Sequence, residues 1–343
     1  MIPRTQERWQ TQDWQQSLAE AFTDVEALLH YLQLPLSLLP AARAASATFP
    51  LRVPKGFAAL INKGDPGDPL LRQILPLAEE LIEEPGFNSD PVGDCHALRN
   101  GGLLEKYHDR SLLLTTGACA VHCRYCFRRF FPYGDNNGLR DNWDAAINRL
   151  RQSGVSEVIL SGGDPLSLSN QRLRSLLERL DTLPQLKRIR FHTRLPIVLP
   201  ERIESGLLEL LRSQRKTIVI VVHCNHAQEL GEMSCSALSQ LQEAGNLLYN
   251  QAVLLRGVND NASALTKLCE SLFSLGVQPY YLHQLDRVRG SAHFEVPLEK
   301  AAQLYKQLLA KLPGYMIPRW VKEIPEETSK MPINLIENVK YFV

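Results

Sequence analysis

From residue 110 onward, short aliphatic runs alternate with segments whose apolar residues recur every three or four positions. The runs fall at 110–116, 156–161, 187–193, 216–222, 247–255 and 277–284. Each is followed by a helical pattern, at 141–153, 169–181, 201–214, 233–244, 261–274 and 298–311. A run such as Ile218-Val219-Ile220-Val221-Val222 is β-branched and apolar on both faces, which suits a buried parallel strand. Strand and helix repeated in this way predict an α/β fold with a parallel sheet and right-handed crossover helices. The periodicity accommodates both an open partial barrel and a doubly wound sheet.

Residues before about 100 follow a different pattern. Asp13 to Leu32 has helical spacing and stops before Pro35. Leu36 to Ala47 predicts a second helix from Pro40 onward, and Leu70 to Glu83 a third, bent at Pro76. Prolines and glycines crowd the stretches between. The chain therefore divides into a helical N-terminal arm (1–100), an α/β unit (101–314) and a short C-terminal segment (315–343). In that last segment Tyr315 to Ile324 reads as extended, 325–332 as a loop and 333–343 as a strand-rich tail.

Charge and cysteine content narrow the setting. The formal net charge is +1, which offers no footprint for nucleic acid or an anionic membrane. No aliphatic run is long enough to span a bilayer, and Met1 to Glu7 lacks the apolar core of a secretory signal. Seven cysteines is an odd number, and Cys95, Cys224, Cys235 and Cys269 are scattered. Unpaired thiols of this kind suit a reducing cytosol, so a cytoplasmic protein is expected.

The other three cysteines carry the chemistry. Cys119, Cys123 and Cys126 are spaced C-x3-C-x2-C just after the first predicted strand. Structural zinc sites and ordinary iron–sulfur clusters both take four protein ligands. Three thiolates on a four-iron cluster would leave one iron free to bind a substrate; a zinc site completed by His122 or a remote residue is the alternative. At the end of the second strand, Gly162-Gly163-Asp164-Pro165 would let backbone approach a ligand closely and adds a carboxylate. His223 and His226 flank Cys224 after the fourth strand, and there a polar ligand lining outweighs a metal site. No G-x-G-x-x-G or Walker A pattern is present.

The triad with Tyr125 before its last cysteine resembles the radical S-adenosylmethionine (radical SAM) superfamily. Longer strings narrow the resemblance to the lysine 2,3-aminomutase family. They are Cys126-Phe127-Arg128-Arg129, His192-Thr193-Arg194, Gln251 to Asp260, Pro279 to Asp286, and Glu323-Ile324-Pro325 with Lys330-Met331-Pro332. The similarity runs from about Arg110 to Pro332. It implies a partial (β/α)6 barrel that uses a [4Fe-4S] cluster, S-adenosyl-L-methionine and pyridoxal 5′-phosphate (PLP). By resemblance Cys119, Cys123 and Cys126 hold the cluster. Gly162, Gly163, Asp164, His223 and Gln251 line the S-adenosylmethionine site. Lys330 carries PLP as the catalytic lysine, and Arg110, assisted by Lys106, meets the PLP phosphate. Arg128 takes the substrate carboxylate, and Asp286 with Glu323 takes its distal amine.

Two departures stand out. Glu326-Glu327-Thr328-Ser329 replaces the glycines that the aminomutases carry before the lysine, and Glu323 stands where they have aspartate. The acidic pair favours lysine over glutamate as substrate. The sequence ends at Val343 without a C-terminal cysteine, so the zinc site of the clostridial enzymes is not expected. The short tail resembles the branch that makes (R)-β-lysine for elongation factor P. That implies a functional link to the factor and its lysyl ligase, an electron donor such as flavodoxin or ferredoxin, and a homo-oligomer. A catabolic aminomutase is the nearer alternative. An iron–sulfur redox protein is the more distant one, and it expects a fourth thiolate and no role for Lys330.

Overall fold

The computed structural model describes residues 14–134, 143–333 and Leu335. Ten strands form one sheet, and their spatial order is their chain order. They are β1 (Leu98–Arg99), β2 (Leu103–Tyr107), β3 (Arg110–Thr116), β4 (Glu157–Gly162), β5 (Arg188–Thr193), β6 (Thr217–Val222), β7 (Leu247–Val253), β8 (Gln278–His283), β9 (Arg319–Lys322) and β10 (Met331–Pro332). Every pairing from β3 through β9 is parallel. The order never reverses, so each crossover moves the sheet the same way. A doubly wound sheet reverses at a switch point; this one winds singly and stays open, as a partial barrel. The six predicted strands are β3 to β8, each displaced by at most two residues at an end.

Two pieces of the sheet lie outside those six. The hairpin of β1 and β2 pairs antiparallel onto β3. At the other edge β9 adds a further parallel strand, and β10 folds back on it antiparallel. The stretch read only as extended is thus a barrel strand, and the loop after it returns Lys330 to the sheet. Of the predicted strand-rich tail, Asn334 and 336–343 lie outside the described residues.

The crossover helices bury one stripe each. In Asn170–Asp181 the stripe is Leu173, Leu176, Leu177 and Leu180, and the Ser169 hydroxyl caps the helix at Arg172 N. Strand β4 is buried throughout, whereas β5 alternates. Ile189, Phe191 and Thr193 are buried, and Arg190 and His192 between them face the barrel interior. Strand β7 does likewise with Gln251 and Val253. Polar inward positions leave the barrel with a central cavity in place of stacked aliphatic layers.

The N-terminal arm differs from expectation in two places. The helix of 13–32 is broken at Glu20–Asp24, where the Asp24 carboxylate caps a new helix, Val25–Tyr31. The bent helix of 70–83 does not form. Pro69–Arg72 makes one turn, and Ala78–Leu81 makes a separate 3-10 turn. Pro76 has no N–H to continue a helix. Gln73 and Glu80 are both buried and bond to different distant partners, so tertiary hydrogen bonds override local spacing. Leu28, Leu29, Phe57 and Leu70 of the arm share one apolar core with Leu160, Phe191 and Leu238 of the barrel.

Candidate active site

One cavity of about 320 Å³ occupies the barrel and is lined by the residues assigned to cluster, cofactors and substrate, but not by His226, which instead caps a 3-10 turn by accepting from Gln228 N. The cavity reaches from the cysteine loop, beyond the C-terminal end of β3, to Arg110 at that strand's start. The strand's length makes this roughly 20 Å.

The cysteine loop follows β3 and is held from two sides. Gly163 N donates to Thr116 O at 2.6 Å, and Asp164 N donates to Ala118 O at 2.8 Å. A Cβ at Gly163 would lie 2.2 Å from Ala118 O, and Gly162 has a φ of +121°. The glycine pair is therefore required for the close approach of β4's end to the cysteine loop itself. The Asp164 carboxylate is engaged inside the protein as well. It accepts from Thr193 Oγ1 at 2.7 Å, Arg194 N at 2.6 Å and Leu166 N at 3.0 Å, and burial pushes its pKa up to about 6.

The N-terminal arm holds the other side. Arg124, fully buried, donates to both Glu80 oxygens at 2.8 and 2.6 Å and to Phe49 O at 2.7 Å. Arg129 adds a 2.6 Å bond to Glu80, and both guanidinium groups lie over the Phe49 ring. His122 N donates to Arg52 O, and Arg124 N to Gln73 O. His122 does not converge with the thiols into a group that could hold a zinc ion among the described residues; its ring stacks on Phe49 and its Nδ1 meets Pro50 O at 2.9 Å.

Burial, then the neighbouring Cys126, raises the Cys119 pKa; burial, then Cys123, raises Cys126 to about 11. Cys119 and Cys126 thus feel the charge of neighbouring thiols. Yet among the described residues no three His, Cys, Asp or Glu side chains converge enough to hold a single metal ion. A four-iron cluster is larger than an ion, so its thiolates stand wider apart, and the triad fits that group better than zinc. None of the other four cysteines lines the cavity. The redox-protein alternative therefore lacks its fourth thiolate among the described residues.

The opposite wall is a charge cluster assembled from distant segments. Asp94 is buried between Arg128 Nε at 2.6 Å and Lys106 Nζ at 2.5 Å. Burial alone would raise the Asp94 pKa, but the two cations hold it down. Arg128 also donates Nη1 to Ser161 Oγ at 3.1 Å, and its Nη2 has no partner among the described residues. Glu323, just past β9, accepts from Tyr107 Oη at 2.8 Å and from Lys106 and Lys330. Those contacts overcome burial and keep its carboxyl well below the usual range. Asp286 has no side-chain hydrogen bond among the described residues. Burial, then the charge of Glu323, pushes its pKa up to about 7. The Arg110 guanidinium lies 4.6 Å from the Tyr107 ring centroid and has no carboxylate partner among the described residues.

The departure before Lys330 is absorbed locally. Glu326 takes a φ of +71°, a conformation that glycine adopts without strain and that costs another residue about 1–2 kcal/mol.

The comparisons are consistent with this geometry. Residues 109–195 match a family described as a 4Fe-4S single cluster domain. L-lysine 2,3-aminomutase of Escherichia coli (strain K12) is 45% identical over 326 residues, which are 94% of this chain and 95% of that protein. The chain belongs to the lysine 2,3-aminomutase family. The Haemophilus influenzae member is 41% identical over 93% of this chain and 95% of that protein. The Clostridium subterminale member is 32% identical over 94% of this chain and 77% of its own length. Aminomutases are isomerases, so this is a family of isomerases.

Several residues of the site were not legible in the sequence. Asp94 looked like one more turn residue, and only the fold shows it pairing with Arg128 and Lys106. Gln73, Glu80 and Glu229 gave no signal, because their distant side-chain partners lie 35 to 156 residues away. His192 and His283 appeared within longer strings without a role. Both line the cavity, and each has a buried Nε2 without a partner. Burial holds His192, His283 and His223 (the last at about 3) neutral at physiological pH. Among the described residues no helix is long and apolar enough to cross a membrane.

Proposed function

We propose that this chain converts L-α-lysine to (R)-β-lysine by moving the amino group from Cα to Cβ. The observation that carries the reading is the cavity, which brings the cysteine triad, Arg110 (without a carboxylate partner among the described residues), Lys330 and the carboxylates Asp286 and Glu323 together. Cys119, Cys123 and Cys126 would hold the cluster, Lys330 and Arg110 the PLP, and the strand ends carrying Gly162, Gly163, His223 and Gln251 would line the S-adenosylmethionine site. When bound, the cluster with S-adenosylmethionine supplies the hydrogen-abstracting radical, and PLP supplies the conjugated ring that carries the migrating nitrogen.

The chain's own residues do the placing. Arg128 has Nη2 free for the substrate carboxylate, while Asp94 fixes the rest of its guanidinium. Asp286 offers an unengaged carboxylate to the distal amine. Glu323 accepts from Lys330 in the ligand-free protein. Lys330 would hold the cofactor, and Glu323, when not paired with that lysine, would share the distal amine. The strands around the cavity, with the neutral histidines among their inward-facing residues, limit water at the reacting carbons.

The same reading extends to the setting. Support for a role in β-lysylation of elongation factor P comes from the extent of the match to the Escherichia coli member. The lysyl ligase of that factor, a flavodoxin- or ferredoxin-type donor, homo-oligomerisation and a cytoplasmic location belong to this proposal. The arm (1–100), barrel (101–314) and lysine segment (315–343) are its working division.

Anaerobic reconstitution with iron, sulfide, PLP, S-adenosylmethionine and L-lysine tests the proposal, with β-lysine read by chiral mass spectrometry. Lys330→Ala should remove the lysine-bound PLP absorbance and lower turnover on the order of 1,000-fold or more. Absence of β-lysine from the wild type, with the absorbance of Lys330→Ala unchanged, overturns it.

A further inference from the structure

Arg194 begins the loop after β5 and is anchored at both of its ends. Its backbone N–H donates to Asp164 Oδ2 at 2.6 Å. Its guanidinium is more than nine-tenths buried. Nη2 donates to Gln73 Oε1 at 2.7 Å and Glu229 Oε2 at 2.9 Å, and Nη1 donates to Cys123 Sγ at 2.8 Å. Glu229 is itself locked, since its other oxygen accepts from Gln73 Nε2, Asn225 N and His226 N at 2.9–3.0 Å. The Phe57 and Tyr125 rings flank the guanidinium at 5.5 and 5.7 Å. The cation has no alternative position to swing to.

The arrangement is asymmetric. Among the described residues no side-chain hydrogen bond reaches Cys119 or Cys126; Cys123 alone of the triad receives a charge-assisted one. The Arg194–Glu229 pair is a buried dipole with its positive end on a ligand sulfur. Hydrogen bonds to the sulfurs and nearby charge are among the factors that set an iron–sulfur potential. A fixed positive charge in a low-dielectric setting favours the form carrying the extra electron.

We propose that Arg194 is a positioning residue that tunes the cluster: through its bond to Cys123 Sγ it raises the potential of the cluster's one-electron couple. The inference rests on the cluster reading of the triad. Gln73 gives the N-terminal arm a part in the same device, since it orients the guanidinium that reaches the sulfur.

Wild type, Arg194→Lys and Arg194→Met are reconstituted anaerobically with iron and sulfide, then titrated with dithionite while the reduced cluster is followed by EPR. Iron and sulfide content is read first. A wild type that takes up no cluster removes the cluster reading itself, a failure distinct from those below. The expected result is a midpoint more negative in Arg194→Met than in wild type, with Arg194→Lys between them, because lysine keeps the charge and moves the donor. If Arg194→Met does not load, Arg194→Lys carries the test with the same expected sign. A fully loaded variant at the wild-type midpoint overturns the proposal. So does equal loss of cluster from both variants, which would assign Arg194 to holding the loop alone.

Discussion

At the cysteine end of the cavity, nearly every polar group facing the loop is bonded to another group of the same chain. Arg124 and Arg129 are on Glu80, Asp164 is on Thr193 and Arg194, and Arg194 is on Glu229 and Gln73. At the lysine end the bonds are provisional. Lys330 rests on Glu323, the Asp286 carboxylate has no hydrogen bond among the described residues, and His192 and His283 keep unpartnered ring nitrogens. The first end is a rigid frame, suited on the proposed function to an inorganic group whose position must not vary. The second is a set of charges that compensate one another until ligands arrive. On the proposed function, preorganisation would serve the end where the radical is generated, and exchangeable pairing the end where Lys330 would let go of one partner and take another.

Removing a clasp at the cysteine end should cost the most stability. Glu80→Ala leaves two buried guanidinium groups without a carboxylate, and breaking a buried pair costs about 3–5 kcal/mol. Denaturant melts of the cluster-free protein should show that loss, and iron uptake per chain should fall. An unchanged midpoint of denaturation would mean that the arm is only laid over the loop.

At the lysine end the effects should separate from stability. Asp286→Asn removes a carboxylate that has no internal partner, so the ligand-free protein should keep or gain stability. The KM for lysine should rise about 10- to 100-fold, the equivalent of one lost charged hydrogen bond. A destabilised variant with unchanged KM would show that Asp286 serves the fold instead.

The smallest effect is a pH slope. The Asp286 pKa is raised in the folded protein to about 7, above the usual carboxyl value. Between roughly pH 4 and 7 the folded state therefore binds the extra proton, and stability falls as pH rises through this window. Lysine affinity should move the other way, strengthening as Asp286 ionises near 7. Asp286→Asn should flatten both slopes; if both persist in the variant, another group is titrating.

Much was legible along the chain. Strands β3 to β8 were readable because buried parallel strands are continuous aliphatic runs, and their helices because one apolar stripe repeats with helical spacing. The cysteine triad was readable because its ligands are local. The helix of 70–83 misled, because Gln73 and Glu80 are positioned by partners far along the chain. Strand β9 was missed as a barrel member, since four residues with an exposed arginine and lysine at its ends carry little pattern.

The sequence alone determined the repeating α/β architecture and the spacing of the three thiols, because each is written in neighbouring residues; Lys330 was singled out only through the resemblance to a family. Only the tertiary structure decided whether the sheet winds singly or doubly, because the order in which strands pair is not local. It also decided that the glycine pair packs on the cysteine loop, that Asp94 balances Arg128 and Lys106, and that Arg194 reaches Cys123. Hydrogen bonds and ion pairs act over a few ångströms of space and are indifferent to distance along the chain.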